Sequence, residues 1–167
     1  MKKNVLKKVA VFLDRDGVLN RKPPEGDYVK NFEEFYWNRG AKLLLKAING
    51  RKFLTVIVTN QRGIALGKMS AEFVEALHGK MNDDLRKIGA YIDAFYYCPH
   101  EKDSCDCRKP KPGLFFQAAK DLDIDLKRSY FIGDSESDLQ AGKSAGCRVI
   151  LVKQNKVKAK EIIKFIS

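Results

Sequence analysis

The sequence predicts a single α/β domain with a doubly wound, mostly parallel central sheet. Three observations carry this. Short β-rich apolar runs recur along the 167 residues. The segments between them space their apolar residues at helical intervals. The runs are continuous rather than alternating, as expected of strands covered on both faces. The length suits one compact domain, residues 1–167, and needs no second.

Taken in order, the strands are expected at Val9–Leu13, Phe53–Val58, Ala94–Tyr97, Tyr130–Ile132 and Arg148–Val152. Between the first two, Leu43, Leu44, Ala47 and Ile48 form one apolar helical face. Phe73, Leu77, Met81, Leu85 and Ile88 step by three or four along a second helix, with Ser70 as its start and Gly89 as its stop. Leu114, Phe115, Ala118, Ala119 and Leu122 mark a third. The tail from Lys153 to Ser167, with Val157, Ile162, Ile163 and Phe165, reads as a last amphipathic helix. One irregular stretch, Asn20–Asn31 with its Pro23-Pro24 pair, follows the first strand. It therefore lies at the carboxyl end of the sheet, where open α/β folds bind ligands.

The chain is 44% hydrophobic and 32% charged, a soluble globular composition, and its apolar runs are far shorter than the roughly 20 residues that span a bilayer. The basic N-terminus precedes only a short apolar run that ends in Asp14-Arg15-Asp16, without a cleavage site, so a cytoplasmic address is expected. A net charge of +11 suits a negatively charged substrate or a polyanion. The lysines and arginines are scattered, with no basic tract, and this argues against a nucleic-acid partner.

Two carboxylates, Asp14 and Asp16, stand two residues apart at the tip of the first strand, where i and i+2 start on the same side. Such a like-charged pair calls for a hard cation such as Mg²⁺, bound through oxygens, with Gly17 letting the chain turn around it; a strand followed by a plain polar turn is the alternative. Thr59, Asn60 and Gln61 follow the second strand and bring a hydroxyl and amides to the same edge, as phosphate donors or as a helix cap. After the fourth strand, Gly133 turns the chain and Asp134 and Asp138 add carboxylates.

Cys98-x-His100-x₄-Cys105-x-Cys107 supplies a complete Cys₃His set for tetrahedral Zn²⁺. No position is left open for water, so such a zinc is structural. A disulfide within the loop, or free thiols, are the alternatives; an intracellular setting favours the metal. Cys147, next to Gly146, reads as a packed small residue.

Asp14-x-Asp16-Gly17, Thr59-Asn60, Lys109 before Pro110, and Gly133-Asp134-x-x-x-Asp138, in this order and each at a strand end, resemble the haloacid dehalogenase (HAD) superfamily. The resemblance runs from Val11 to Val152 and implies a Rossmann-like domain with an aspartyl-phosphate mechanism. In it Asp14 is the nucleophile and Asp16 the general acid and base. Mg²⁺ is held by the Asp14 side chain, the Asp16 backbone carbonyl and Asp134, and Thr59 and Lys109 stabilise the phosphoryl group. The physics fits: a carboxylate on the metal stays ionised, and its neighbour is left to carry a proton.

Within the superfamily, C-x-H followed by C-x-C-R-K-P is similar to the branch that holds heptose bisphosphate and histidinol-phosphate phosphatases, which lack a large cap domain. The interval from Asp14 to Thr59 has no room for one. Selection of a small phosphorylated substrate then falls to short loops, with Tyr28, Asn60, Gln61, Arg62 and Arg108 as binding residues. Arg108, a planar fork, suits a second phosphate. The chain departs from the branch at Ser135, where a basic residue is usual, and at Glu25-Gly26-Asp27. The implied function is a sugar bisphosphate phosphatase of the heptose type acting as a monomer. The alternatives are a histidinol-phosphate phosphatase, a polynucleotide 3′-phosphatase and a zinc-stapled binding module without catalysis.

Overall fold

The computed structural model describes residues 6–166. The start of the basic N-terminal segment and the final Ser167 of the expected tail helix lie outside the described residues. The strands are β1 (Ala10–Leu13), β2 (Leu54–Asn60), β3 (Ala94–Cys98), β4 (Tyr130–Gly133) and β5 (Arg148–Leu151). The helices are α1 (Ala41–Gly50), α2 (Ala71–Arg86), α3 (Gly113–Leu122), α4 (Glu136–Ala145) and α5 (Ala159–Phe165). Every pairing is parallel, in the order β3-β2-β1-β4-β5. The order reverses at β1, which is flanked by β2 and β4, and this switch point opens a crevice at the carboxyl edge.

Side chains leave the sheet alternately, and the two layers follow. Val11, Leu13, Ile57 and Ile132 pack with Leu44, Leu45 and Ile48 of α1, Leu77, Met81 and Leu85 of α2, and Ile162 of α5. Ala10, Phe12, Val56, Val58 and Phe131 face the other way, onto Leu114, Phe115 and Ala118 of α3 and Ala141 and Ala145 of α4. Phe115 packs between Phe12, tilted at 54°, and Phe131, edge-on at 77°, with ring centroids 5.0 and 4.9 Å away. The three central strands are buried. β5, at the sheet edge, leaves Arg148 and Leu151 exposed.

Two helical faces differ from expectation. In α1 the buried residues are Ala41, Leu44, Leu45 and Ile48, a regular i, i+3, i+4, i+7 stripe, and Leu43 points to solvent at 67% exposure. The tail forms a helix only from Ala159, with Phe165 on its exposed side. α4 is a helix the apolar spacing did not reveal, because it packs through small residues. A Cβ on Gly142 would come within 2.5 Å of Val149 Cγ2. Ser70 caps α2 by accepting from the Phe73 N–H. Among the described residues, no helix is long and apolar enough to cross a membrane.

Candidate active site

Asp14 directly follows β1, its N–H donating to the Ile132 carbonyl at 2.9 Å, so its carboxylate stands where β1 and β4 end. Beside it, Lys109 Nζ lies 2.9 Å from Asp14 Oδ1 and 2.7 Å from Asp138 Oδ1, and donates to the Val58 carbonyl at 3.1 Å. The buried ammonium thus bridges two carboxylates at the floor of a cleft of about 310 Å³. Burial alone would lower the proton affinity of Lys109. Asp14 and Asp138 outweigh it and hold the amine charged, raised to about 12.

Asp14, Asp134 and Asp138 gather as a cluster able to hold a metal ion. Asp138 sits in the first turn of α4, capped by Ser135, and its Oδ2 accepts from the Asp134 N–H at 3.0 Å. Asp134 Oδ2 pairs with Lys22 Nζ at 2.9 Å; its buried Oδ1 has no hydrogen-bond partner among the described residues. Oxygens of this kind fit a hard cation. Gly17, at φ +96°, permits the approach: a Cβ there would lie 2.3 Å from Asp134 Oδ2.

Burial and the Asp138 charge push the Asp14 carboxyl up to about 7, against the pull of Lys109. Asp16 goes the other way. Burial raises its proton affinity, but the Arg15 guanidinium and the Asn20 and Gln61 amides outweigh it and hold Asp16 below the usual carboxylate range. In the metal-free fold these shifts run opposite to the division expected with Mg²⁺ bound, in which Asp14 is ionised and Asp16 carries the proton. Asp14 lies among carboxylates, with one shared ammonium and the Arg15 backbone N–H at 2.8 Å to offset them, whereas the side chains that touch Asp16 are all donors. The Asp16 carboxylate also lies outside the three-carboxylate cluster, which leaves only its backbone carbonyl as the expected metal contact.

Thr59 lines the cleft, and its hydroxyl accepts from Gln61 Nε2 at 3.0 Å, so its own proton remains available to a ligand. Arg108, Tyr28 and Asn60 line the same cleft. Asn60 is engaged by a reciprocal pair with the Lys109 backbone, Nδ2 to O at 3.1 Å and Oδ1 from N at 3.0 Å, and so positions the lysine. Gln61 and Arg62 fall outside the cleft lining. Gln61 is buried behind Asp16, and Arg62 pairs with Glu101. Spacing alone did not mark Lys22 as a cleft residue. Its only sequence signal is a basic Arg21-Lys22 pair in the loop before Pro23.

The four loop ligands converge. Cys98 Sγ is 3.5 Å from Cys105 Sγ and 3.6 Å from His100 Nδ1. Cys107 Sγ is 3.3 Å from Cys105 Sγ and 3.2 Å from His100 Nδ1. All four cysteines of the chain are unbridged in this structure. The donor set, three sulfurs and one imidazole nitrogen, suits a tetrahedral site. Cys107 leads directly to Arg108 and Lys109, and Gly113 lets α3 begin against the loop: a Cβ there would meet the Asp106 carbonyl at 2.3 Å.

Comparison with known proteins places this geometry. A HAD-hydrolase-like family model matches residues 106–166. D-glycero-β-D-manno-heptose-1,7-bisphosphate 7-phosphatase of Haemophilus ducreyi is 42% identical over 158 residues, 89% of this chain and 85% of that protein. The D-glycero-α-D-manno-heptose-1,7-bisphosphate 7-phosphatase of Campylobacter jejuni is 40% identical over 152 residues, covering 90% and 86%. Among solved structures, D,D-heptose 1,7-bisphosphate phosphatase from B. bronchiseptica, complexed with magnesium and phosphate, superposes with a TM-score of 0.83. It is 30% identical, over 94% of this chain and 99% of that one. A floor of carboxylates around a buried lysine, at the switch point of a parallel sheet, thus agrees with the sequence likeness: the chain belongs to the HAD superfamily phosphatases, in the branch that holds the heptose 1,7-bisphosphate 7-phosphatases.

Proposed function

We propose that this phosphatase cleaves the 7-phosphate of D-glycero-D-manno-heptose 1,7-bisphosphate, with Mg²⁺ at Asp14 and Asp134 and a phosphoryl group carried transiently on Asp14. The observation that carries the reading is the cleft floor: one carboxylate, Asp14, within 2.9 Å of a buried ammonium and clustered with Asp134 and Asp138. The similarity to named 7-phosphatases supports the substrate.

Bound at this cluster, Mg²⁺ supplies the positive charge that keeps Asp14 ionised and offsets charge on the transferring phosphoryl group. Asp14 attacks phosphorus and the bond to the sugar oxygen breaks, which splits hydrolysis into two displacements. Lys109 Nζ and the Thr59 hydroxyl hold the phosphoryl oxygens. Asp16 gives its proton to the departing sugar oxygen and later takes one from the water that releases phosphate. Arg15, Asn20 and Gln61 lower its proton affinity, whereas an arriving phosphate, with its negative charge beside Asp16, raises it again. Asp138 keeps Lys109 charged and in place. Arg108, whose buried Nη1 has no hydrogen-bond partner among the described residues, and Tyr28 are assigned to the sugar and its second phosphate.

Cys98, His100, Cys105 and Cys107 would hold a structural zinc, which would fix the loop that delivers Arg108 and Lys109. The proposed working unit is a monomer in the cytoplasm. Relatives named for the β and the α anomer are equally similar, at 42% and 42%, so the proposal is for the 7-phosphate and leaves the anomer open.

Comparison of substrates tests it. With Mg²⁺, kcat/KM for the heptose bisphosphate should exceed those for histidinol phosphate and an aryl phosphate by about tenfold or more, a difference of about 1.4 kcal/mol in transition-state binding. Faster histidinol phosphate hydrolysis, or no preference at all, would overturn the substrate and leave the reaction class intact.

A further inference from the structure

One buried contact lies outside the chemistry so far described, that of Arg15 with His78. Arg15 stands between the two key aspartates, and its side chain is almost wholly enclosed, at 1% exposure. Enclosing a guanidinium costs several kcal/mol unless it is well partnered. Its Nη2 donates to both Asp16 oxygens, at 3.2 and 3.1 Å. Its Nε has no partner among the described residues. The remaining contact is Nη1 to His78 Nε2 at 3.4 Å.

His78 is set deep in α2. Its ring stacks on Phe95 with centroids 4.3 Å apart and planes 12° off parallel, and the Tyr97 ring edges it at 5.9 Å. A guanidinium has only donors, so the imidazole nitrogen facing it must accept. That fixes His78 as neutral, with its proton on Nδ1. Burial and the Arg15 charge agree, pushing the imidazole down to about 3.

We infer that His78 is a positioning residue: wedged between aromatic rings, it fixes the plane of Arg15, which in turn aims the Asp16 carboxylate into the cleft. Asn20 Nδ2 at 2.8 Å and Gln61 Nε2 at 2.9 Å hold the other sides of that carboxylate, and only the Arg15 side depends on α2. Orientation of the general acid is thus set from the helix layer, 63 residues along the chain from Arg15. This rests on the acid role proposed for Asp16.

The test separates acid catalysis from general damage by measuring the first turnover, transfer to Asp14, with two substrates. A sugar phosphate needs a proton on its leaving oxygen; p-nitrophenyl phosphate does not. His78→Leu should slow the sugar phosphate about tenfold, with KM within about twofold, and leave the nitrophenol burst unchanged. His78→Gln, whose side-chain amide reaches where Nε2 stood, should restore the rate to within about threefold. Asp16→Asn is the reference and should show the same selective loss. If it does while His78→Leu slows both substrates alike or neither, the inference fails alone. If Asp16→Asn is not selective, the role of Asp16 falls and the inference with it. The chain has only two histidines, so ¹⁵N spectra of the unmutated protein give an independent reading. His78 should be neutral with Nε2 unprotonated at pH 6, and a protonated ring or the opposite tautomer would overturn the inference even if no variant folds.

Discussion

Asp14 shows how a single residue can be legible in one respect and hidden in another. Its position at a strand tip, two residues before Asp16, was readable because both lie on one short segment. Its proton affinity was not, since that depends on Asp138 and Lys109, which only the fold brings near. The same holds for Lys22, 112 residues from Asp134, and for Arg15 and His78. A carboxyl raised to about 7 is ionised in the fold at a cost. Measured against an unfolded-chain value near 4, Asp14 makes the metal-free fold lose stability as pH rises from about 4 to about 7, and Mg²⁺ returns it. Calorimetric titration should therefore show Mg²⁺ binding weakening as pH falls below 7, by up to about tenfold per unit, with proton release. Affinity independent of pH between 5 and 7 would contradict the place of Asp14 in the metal site. Gly17→Ala should fold with a loss of about 1–2 kcal/mol, from the left-handed backbone, yet bind Mg²⁺ at least about tenfold more weakly. Thermal melts and the same titration report the two effects separately. Normal Mg²⁺ affinity would mean that the 2.3 Å approach to Asp134 is not needed.

At the level of elements, the strands were legible to within a residue or two because buried parallel strands leave continuous apolar runs. Helices were legible where large apolar residues repeat, as in α2 and α3, and not in α4. There the buried residues are Asp138, Ala141, Gly142 and Ala145, too small or too polar to mark a face. The Cys₃His loop was legible because its four candidate ligands fall within ten residues. What spacing did not show is how the loop couples to the cleft: Lys111 Nζ donates to the Cys105 carbonyl at 2.8 Å, Arg62 pairs with Glu101, and Asn60 grips the Lys109 backbone. Chelation of the loop metal should therefore lower kcat by about tenfold or more, and added Mg²⁺ should not restore it. Metal analysis should find one zinc lost per chain in step with activity. Full activity in zinc-free protein would show that the loop holds Arg108 and Lys109 unaided.

Across the whole molecule, the basic residues behind the +11 charge are scattered along the chain while the carboxylates proposed for catalysis sit at the sheet's switch point. A scattered basic surface, together with a cleft of about 310 Å³ holding Lys22, Arg108 and Lys109, matches a small, doubly phosphorylated substrate better than a polymer. The interval from β1 to β2 leaves no room for a large cap, since it holds only a loop with one 3₁₀ turn, Phe32–Glu34, and α1. Everything then depends on Asp14 as the atom donor to phosphorus. The most direct measurement is acid quenching during the first turnover with heptose bisphosphate and Mg²⁺, followed by mass spectrometry of the peptide containing Asp14. The account predicts one added phosphoryl group on Asp14, absent in Asp14→Asn, whose turnover should fall by about a thousandfold or more. An unmodified Asp14 at early times, or an Asp14→Asn variant that still turns over at the normal rate, would contradict it.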